Sequence, residues 1–201
     1  MAVSMAAYAE RVGFDHHAPG TALLGLGWQA GAPERGNARW VVRQDQSAPS
    51  APNVMQQSGP GGFAWIVRRG TLIENGFVQV KFKAIAGKEQ GAGVVWRWKN
   101  ASKYYVAEAS AIENKVSIHY TENGRRHTLQ HVDAPVPPRT WHTLRVEFSG
   151  RGIVVMLNDK TYIDLDDGHI GGVGRVGMWT QAESGTAFDD FTYDFAAPLR
   201  K

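Results

Sequence analysis

The 201-residue sequence contains no cysteine. Disulfide bonds, thiolate metal sites and cysteine nucleophiles are therefore excluded. Because both a reducing compartment and bacterial export are compatible with a cysteine-free chain, this absence leaves the compartment open. The sequence also lacks an apolar run near the ~20 residues that a membrane-spanning helix needs. We therefore expect no membrane insertion.

Basic residues are not concentrated anywhere in the chain. The sequence has 22 Lys and Arg against 19 Asp and Glu, a net charge of +3, and no basic run longer than two residues. Such a small, scattered excess lacks the electrostatic footprint of a nucleic-acid-binding protein, so we expect no nucleic-acid partner. Hydrophobic residues at 43% and charged residues at 20% are typical of a globular chain.

The first nine residues suggest a processing signal. They end in Ala7-Tyr8-Ala9, an A-x-A-like sequence that precedes Glu10. Residues 1–9 are therefore either the remnant of an export signal or a disordered start. The first alternative predicts a periplasmic or secreted protein. The length of the remaining chain, residues 10–201, suits a single domain.

Helical periodicity is also missing, and short runs of alternating apolar and polar residues take its place. Val78, Val80 and Phe82, for example, alternate with polar neighbours, as in a strand with one buried face. The sequence predicts about a dozen such strands, joined by turns such as Asn123-Gly124. So many strands exceed what one open sheet holds comfortably, which predicts an all-β fold of two packed antiparallel sheets, a jelly roll.

Five short segments carry a resemblance to a known family. They are Gly-Val-Val-Trp-Arg (93–97), Lys-Tyr-Tyr (103–105), Trp-His-Thr-Leu (141–144), Gly-Arg-Val-Gly-Met-Trp-Thr (174–180) and Phe-Asp-Asp-Phe (188–191). In these segments the chain resembles the concanavalin A-like jelly rolls, specifically the bacterial 3-keto-disaccharide hydrolase domains and their LamG-like relatives. The resemblance covers residues 77–195 and implies a two-sheet β-sandwich. That fold hosts lectins, glycanases, lyases and binding modules, so it does not decide the chemistry.

Strand alternation also predicts which side chains share the outer, concave face of one sheet. If Trp96 and Trp98 point into the core, Arg97 between them points outward. The same reasoning on neighbouring strands predicts one groove lined by Arg97, Tyr104, Glu108, His119, Trp179 and Gln181.

A groove of this composition suits a carbohydrate. Trp179 or Tyr104 would offer a ring to the C–H face of a sugar, while Arg97 and Gln181 would bind its hydroxyls. The first hypothesis is therefore an exported carbohydrate-binding protein. In the alternative, Arg97 and Glu108 form a cross-strand ion pair on a solvated face, which contributes little energy. A flat, charge-paired face would suit a LamG-like protein-interaction module.

The resemblance also implies an enzymatic alternative, a 3-keto-glycoside hydrolase or lyase. The Glu-x-Asp-x-x-Glu motif of laminarinase-type jelly rolls is absent from the sequence, which argues against a retaining glycosidase of that type. In a 3-keto sugar the ketone acidifies the C2 proton, so elimination needs one base and a group that stabilises the enolate. Glu108 or His119 would be the base. Whether the protein is an enzyme stays open at this point.

A structural metal is the last implication of the resemblance. In many jelly rolls of this class, an aspartate in the final strand joins backbone carbonyls around Ca²⁺. Asp190 is the matching residue here, and its hard oxygen ligands suit that ion. The alternative is that Asp189 and Asp190 face water or cap a turn.

Overall fold

The computed structural model describes residues 9–31, 38–59, 62–181 and 183–195. The expected export-signal remnant at residues 1–9 lies, apart from Ala9, outside the described residues. Within the described ranges the regular structure is entirely β-strand. No helix in this part of the chain is long and apolar enough to cross a membrane.

Fifteen strands follow one another along the described chain. They are β1 (Glu10–Val12), β2 (Trp28–Gly31), β3 (Arg39–Gln44), β4 (Asn53–Ser58), β5 (Ala64–Arg68), β6 (Gly76–Gly87), β7 (Gly91–Asn100), β8 (Lys103–Ser110), β9 (Lys115–Glu122), β10 (Arg125–Asp133), β11 (His142–Ser149), β12 (Gly152–Leu157), β13 (Lys160–Asp166), β14 (Arg175–Thr180) and β15 (Ser184–Asp194).

These strands form two antiparallel sheets. The eight-stranded sheet has the order β13-β12-β11-β6-β15-β4-β3, with β1 paired to β15. The seven-stranded sheet has the order β10-β9-β8-β7-β14-β5-β2. Large side chains from both sheets, such as Phe82 and Phe148 from one and Trp96 and Tyr105 from the other, are buried in one core. The predicted antiparallel two-sheet β-sandwich is confirmed.

A second apolar cluster lies on the opposite, outer face of the seven-stranded sheet. It consists of Trp65, Val67, Val95, Trp98, Tyr104, Val106 and Trp179, with Phe63 packed against it. On β8, Tyr104 and Val106 in this cluster alternate with Tyr105 and Ala107 in the main core. The sheet therefore buries apolar side chains on both faces.

A two-residue turn sets the register between β9 and β10. Asn123 and Gly124 have φ of 52° and 75°, the positive values that a tight hairpin turn requires. The turn places Thr121 opposite Arg126 and His119 opposite Thr128. Further along, the pairing shifts at a bulge between Thr128 and Gln130.

A second irregularity lies in β7 at Arg97. The pairing of β7 with β8 is regular to Trp96, opposite Tyr105, and then shifts. Arg97 has a φ of 47°, so the extended conformation breaks at this residue. A bulge changes the alternation of side chains beyond it. Trp98 consequently lies on the outer face, and the prediction that Trp98 points into the core while Arg97 points outward is wrong.

Candidate functional site

A cavity of about 310 Å³ lies on the outer face of the seven-stranded sheet, over β8, β9 and β10. Its lining is polar and comes mainly from these three strands. The residues used below are Glu108, Ser117, His119, Arg126, Thr128 and Gln181. Three of them, Glu108, His119 and Gln181, were predicted from strand alternation, and the structure brings them together.

Glu108 lines the cavity from β8. The register places it between Gly93 on β7 and Ser117 on β9. Its Oε2 accepts a hydrogen bond from Arg126 Nη2 at 2.7 Å, whereas its Oε1 is buried and has no hydrogen-bond partner among the described residues. A Cβ at position 91 would lie 2.4 Å from that Oε1. The absence of a side chain at Gly91 therefore leaves space for the Glu108 carboxylate.

His119 lies beside this carboxylate. Its Nδ1 is 3.0 Å from Thr128 Oγ1, and its Nε2 is 3.4 Å from Glu108 Oε2 without hydrogen-bond geometry. Burial lowers the pKa of His119, and although Glu108 opposes this shift, the positive charge of Arg126 adds to it. The imidazole is therefore neutral near pH 7. A proton on Nε2 suits the neighbouring carboxylate best.

Arg126 is the site residue that the sequence reasoning missed. Its guanidinium pairs with Glu108 and lies 4.6 Å from the ring centre of Phe63 and 4.8 Å from that of Trp179. Phe63 in turn stacks on Trp179, with ring centres 5.8 Å apart and planes 12° apart. The signal was available in the sequence, because a two-residue turn at Asn123-Gly124 carries the alternation of β9 directly into β10.

Trp179 and Tyr104 lie on the predicted face, but their side chains do not reach its surface. Each is only 1% exposed. Phe63 and Arg126 cover Trp179, so the prediction that either ring is a free stacking platform is wrong. Burial also raises the pKa of the Tyr104 hydroxyl, which stays protonated.

Arg97 is buried and has no access to the cavity. It is 1% exposed and donates hydrogen bonds to the backbone carbonyls of Ile170 at 3.0 Å and Gly150 at 2.6 Å, with a third to Glu74 at 3.3 Å. Burial lowers the pKa of its guanidinium. Both sequence-based roles for Arg97, ligand binding and an ion pair with Glu108, are therefore wrong, because the β7 bulge turns the side chain away.

Asp190 does not fit the predicted Ca²⁺ site. Its carboxylate accepts a hydrogen bond from Arg11 Nε at 2.9 Å and pairs with Lys81 Nζ at 2.9 Å. Burial alone would raise the pKa of Asp190, but hydrogen bonds from Lys81 and Arg11 lower it overall. Two cations occupy the oxygens that a metal ion would need.

Comparison with known proteins adds a family and several folds. The family model described as a 3-keto-alpha-glucoside-1,2-lyase-like domain matches residues 16–192. No curated protein matches the chain.

Among solved structures, the chain is similar to the carbohydrate-binding module CBM66 from Bacillus subtilis, with a TM-score of 0.69 and 18% identity over 84% of this chain and 95% of that one. It is also similar to a prokaryotic β-1,3-1,4-glucanase (lichenase) derived from a mouse hindgut metagenome, with a TM-score of 0.59 and 14% identity over 94% of this chain and 99% of that one. For the exoplasmic/lumenal domain of VIP36 in its Ca²⁺/Man3GlcNAc-bound form, the TM-score is 0.58 and the identity is 12%, over 87% of this chain and 86% of that one. At these identities the likeness shows the fold.

Proposed function

The chain belongs to the 3-keto-alpha-glucoside-1,2-lyase-like domain family, and from that membership we propose that it is a carbohydrate-binding β-sandwich whose ligand occupies the cavity around Glu108. One observation carries the proposal. Glu108 Oε1, His119 Nε2 and Arg126 Nε are all buried at this cavity without a hydrogen-bond partner among the described residues. A buried polar group left unpaired costs about 1–3 kcal/mol. Sugar hydroxyls, which both donate and accept, match this mixture of carboxylate, imidazole and guanidinium groups in the cavity lining.

A half-buried aromatic ring lies next to one residue of the cavity lining. Phe63 is half-buried and lies against Arg126, which reaches into the cavity. A ring at the margin of a polar cavity is suited to the C–H face of a sugar. We propose that Phe63 takes the stacking role that the sequence assigned to Trp179.

The structural neighbours support a carbohydrate ligand. One is named a carbohydrate-binding module, and another was solved with Man3GlcNAc bound. The polar, concave surface with unpaired buried groups argues against the flat, charge-paired face that a LamG-like protein-interaction module would need.

Replacing Glu108 tests this proposal. We expect the protein to bind at least one carbohydrate on an array of defined oligosaccharides. Glu108→Gln keeps the side-chain shape but removes the charge, so affinity for that carbohydrate should fall about 10- to 100-fold, since hydrogen bonds to charged groups contribute about 1.5–3 kcal/mol. Isothermal titration calorimetry would measure it.

The matched control is Glu183→Gln. Glu183 is an exposed carboxylate paired with Lys88, outside the cavity. This variant should bind as the wild type does. Unchanged affinity in Glu108→Gln, or an array without any bound carbohydrate, would contradict the proposal.

Elimination from a 3-keto glycoside is a second candidate, which the unpaired Glu108 Oε1 favours. In this reaction Glu108 would take the C2 proton, the electrons of the C–H bond would form the C1=C2 double bond, and the C1–O bond would break. The departing oxygen would take up the proton that Glu108 now carries, which releases the alcohol and regenerates the carboxylate. Arg126 would stabilise the negative charge that develops on the ketone oxygen.

Incubation with 3-keto-glucosides, with and without added divalent metal, separates the two candidates. Release of the alcohol together with an unsaturated keto sugar, lost in Glu108→Gln, would establish the enzyme. Binding without product would leave the protein a carbohydrate-binding module.

A further inference from the structure

A second cavity, of about 590 Å³, lies on the outer face of the eight-stranded sheet and is lined mainly by β11, β12 and β13. The carbohydrate site proposed above belongs to the seven-stranded sheet, so the two cavities lie on opposite sides of the sandwich. Small-molecule and side-chain binding sites commonly have volumes of about 300–1,000 Å³. The second cavity is therefore large enough to be a binding site of its own.

Strand β12 contributes apolar side chains to this cavity. Ile153, Val155 and Leu157 are buried in the core, whereas Val154 and Met156 between them line the cavity and are half-buried. An antiparallel sheet that faces water usually carries polar side chains on that face. Val154 and Met156 therefore form an apolar strip that a ligand can cover.

Strand β11 contributes an arginine whose charge is already neutralised. The guanidinium of Arg145 lies 3.6 Å from the ring centre of Phe77, and its Nε and Nη2 are each 2.8 Å from Glu147 Oε1. Neither contact uses Oε2 of Glu147, a carboxylate that is only 6% exposed. One oxygen of a nearly buried carboxylate in the cavity lining is therefore left for a donor on a ligand.

Strand β13 and the turn before it add two more carboxylates. Asp159 and Asp164 both line the cavity and are exposed. The described lining then holds three carboxylates and one guanidinium, which leaves it a net charge of −2. Lys160 does not offset this charge, because its Nζ lies 4.7 Å from the ring centre of Tyr162, which packs against the core. The cavity therefore favours a cation that also has an apolar part.

We propose that this second cavity binds an extended polypeptide segment in which a lysine or arginine stands two residues from an aliphatic residue. In an extended segment such side chains lie on one face, about 6.8 Å apart. Val154 and Asp164 are opposite each other across β12 and β13, about 5 Å apart. The aliphatic side chain can therefore cover Val154 while the cation reaches Asp164. The stem of a lysine or arginine also covers apolar surface while its charge stays in water.

The composition of the apolar strip favours a peptide over a cationic sugar. Methionine adapts to aliphatic side chains of different shapes and is common at surfaces that bind varied peptide segments. A sugar would instead need an open aromatic ring for its C–H face, and Phe77 is covered by Arg145 and only 7% exposed. Charge complementarity and the aliphatic strip therefore indicate the same ligand, and neither depends on the carbohydrate-binding function.

Two fluorescein-labelled peptides test the inference by fluorescence anisotropy. One repeats the sequence Ser-Leu-Ser-Lys and the other repeats Ser-Leu-Ser-Glu. We expect the full chain to bind the lysine peptide, with an affinity that falls as salt is added, and not to bind the glutamate peptide. In the double variant Asp159→Asn/Asp164→Asn, affinity for the lysine peptide should fall about 5- to 30-fold. Asp166→Asn is the matched control, because Asp166 is exposed on the same strand but does not line the cavity.

A second variant tests the apolar strip. Val154→Thr keeps the β-branched shape that suits a strand but places a hydroxyl on the strip, so affinity for the lysine peptide should fall about three- to tenfold. Val173→Thr is its control, because Val173 is 48% exposed and lies outside the cavity.

Several results would overturn the inference. They are absence of binding to the lysine peptide, equal binding of the glutamate peptide, and an affinity in the double variant or in Val154→Thr that matches its control. Binding of a glucosamine oligosaccharide in the absence of peptide binding would assign the cavity to a cationic sugar instead. None of these results bears on the carbohydrate site around Glu108, which lies on the other sheet.

Discussion

Arg97 joins three separate connections of the chain. Its guanidinium reaches carbonyls just before β6, in the β11–β12 turn and after β13. A lysine has no planar fork and cannot reproduce these contacts. We expect Arg97→Lys to lower the free energy of unfolding by about 2–4 kcal/mol, because buried carbonyls lose their donors.

Urea denaturation followed by tryptophan fluorescence would measure this loss. Arg125→Lys is the control, since Arg125 is exposed on β10 and should tolerate the change. A loss in Arg97→Lys no larger than in the control would show that the three hydrogen bonds do not stabilise the fold.

His119 makes the stability of the fold depend on pH. Its folded-state pKa lies below the ordinary value of 6.5 because the ring is buried. As the pH falls, the unfolded chain therefore binds a proton before the folded protein does. The stabilising contribution of neutral His119 is complete above about pH 6.5 and is lost as the pH falls from there toward the folded-state pKa.

Urea midpoints at pH 7.5, 6.0 and 5.0 would reveal this dependence. We expect the midpoint of the wild type to fall over this range and His119→Gln to remove part of the fall. His131→Gln, at an exposed position lining the same cavity, should behave as the wild type does. Identical pH profiles for wild type and His119→Gln would exclude the assignment.

At the scale of the strand, β7 depends on two glycines on its outer face. A Cβ at position 91 would meet the Oε1 end of the Glu108 side chain at 2.4 Å, whereas one at position 93 would meet the backbone oxygen of Ala107 at 2.6 Å. A carboxylate can rotate away, but a backbone in a central strand cannot. We expect Gly91→Ala to abolish carbohydrate binding with little loss of stability, and Gly93→Ala to destabilise the fold by about 1–3 kcal/mol.

Calorimetric titration and thermal unfolding of the two variants would separate these effects. Gly171→Ala serves as the control, since a methyl group at that position would have no neighbouring atom within 4 Å. Carbohydrate binding that survives in Gly91→Ala would mean that the position of Glu108 is not critical.

Strand alternation explains how much of the site was accessible from sequence. Strands β8 and β9 are regular, so the alternation of side chains was enough to predict that Glu108 and His119 lie on the outer face. The β7 bulge reverses the alternation of side chains at Arg97, and nothing in the sequence around Arg97 indicates this bulge. The burial of Trp179 could not be predicted either, because it depends on packing by Phe63. Phe63 is remote in sequence and is brought next to Trp179 by the pairing of β5 with β14.

At the scale of the whole molecule, most strand neighbours are distant in sequence. In the eight-stranded sheet β6 pairs with β11 and β15, and in the seven-stranded sheet β14 pairs with β7 and β5. Closing such long loops delays folding. We expect refolding in milliseconds to seconds, measured by stopped-flow tryptophan fluorescence after dilution from urea.

The control repeats the refolding measurement at two protein concentrations, because a unimolecular rate does not depend on concentration. Refolding within microseconds would contradict this expectation.

A periplasmic or secreted location stays a prediction from Ala7-Tyr8-Ala9.

The bulge in β10 bears on self-association. β10 is the end strand of the seven-stranded sheet, and an end strand with free backbone groups is a template for a strand of a second molecule. A flat edge is the most susceptible, but the pairing of β10 shifts between Thr128 and Gln130, and Arg125 and Asp133 place charges at its two ends. Such an edge resists continuation of the sheet into another copy. Pairing of a second molecule at this edge would therefore be disfavoured beside the cavity that β10 helps to line.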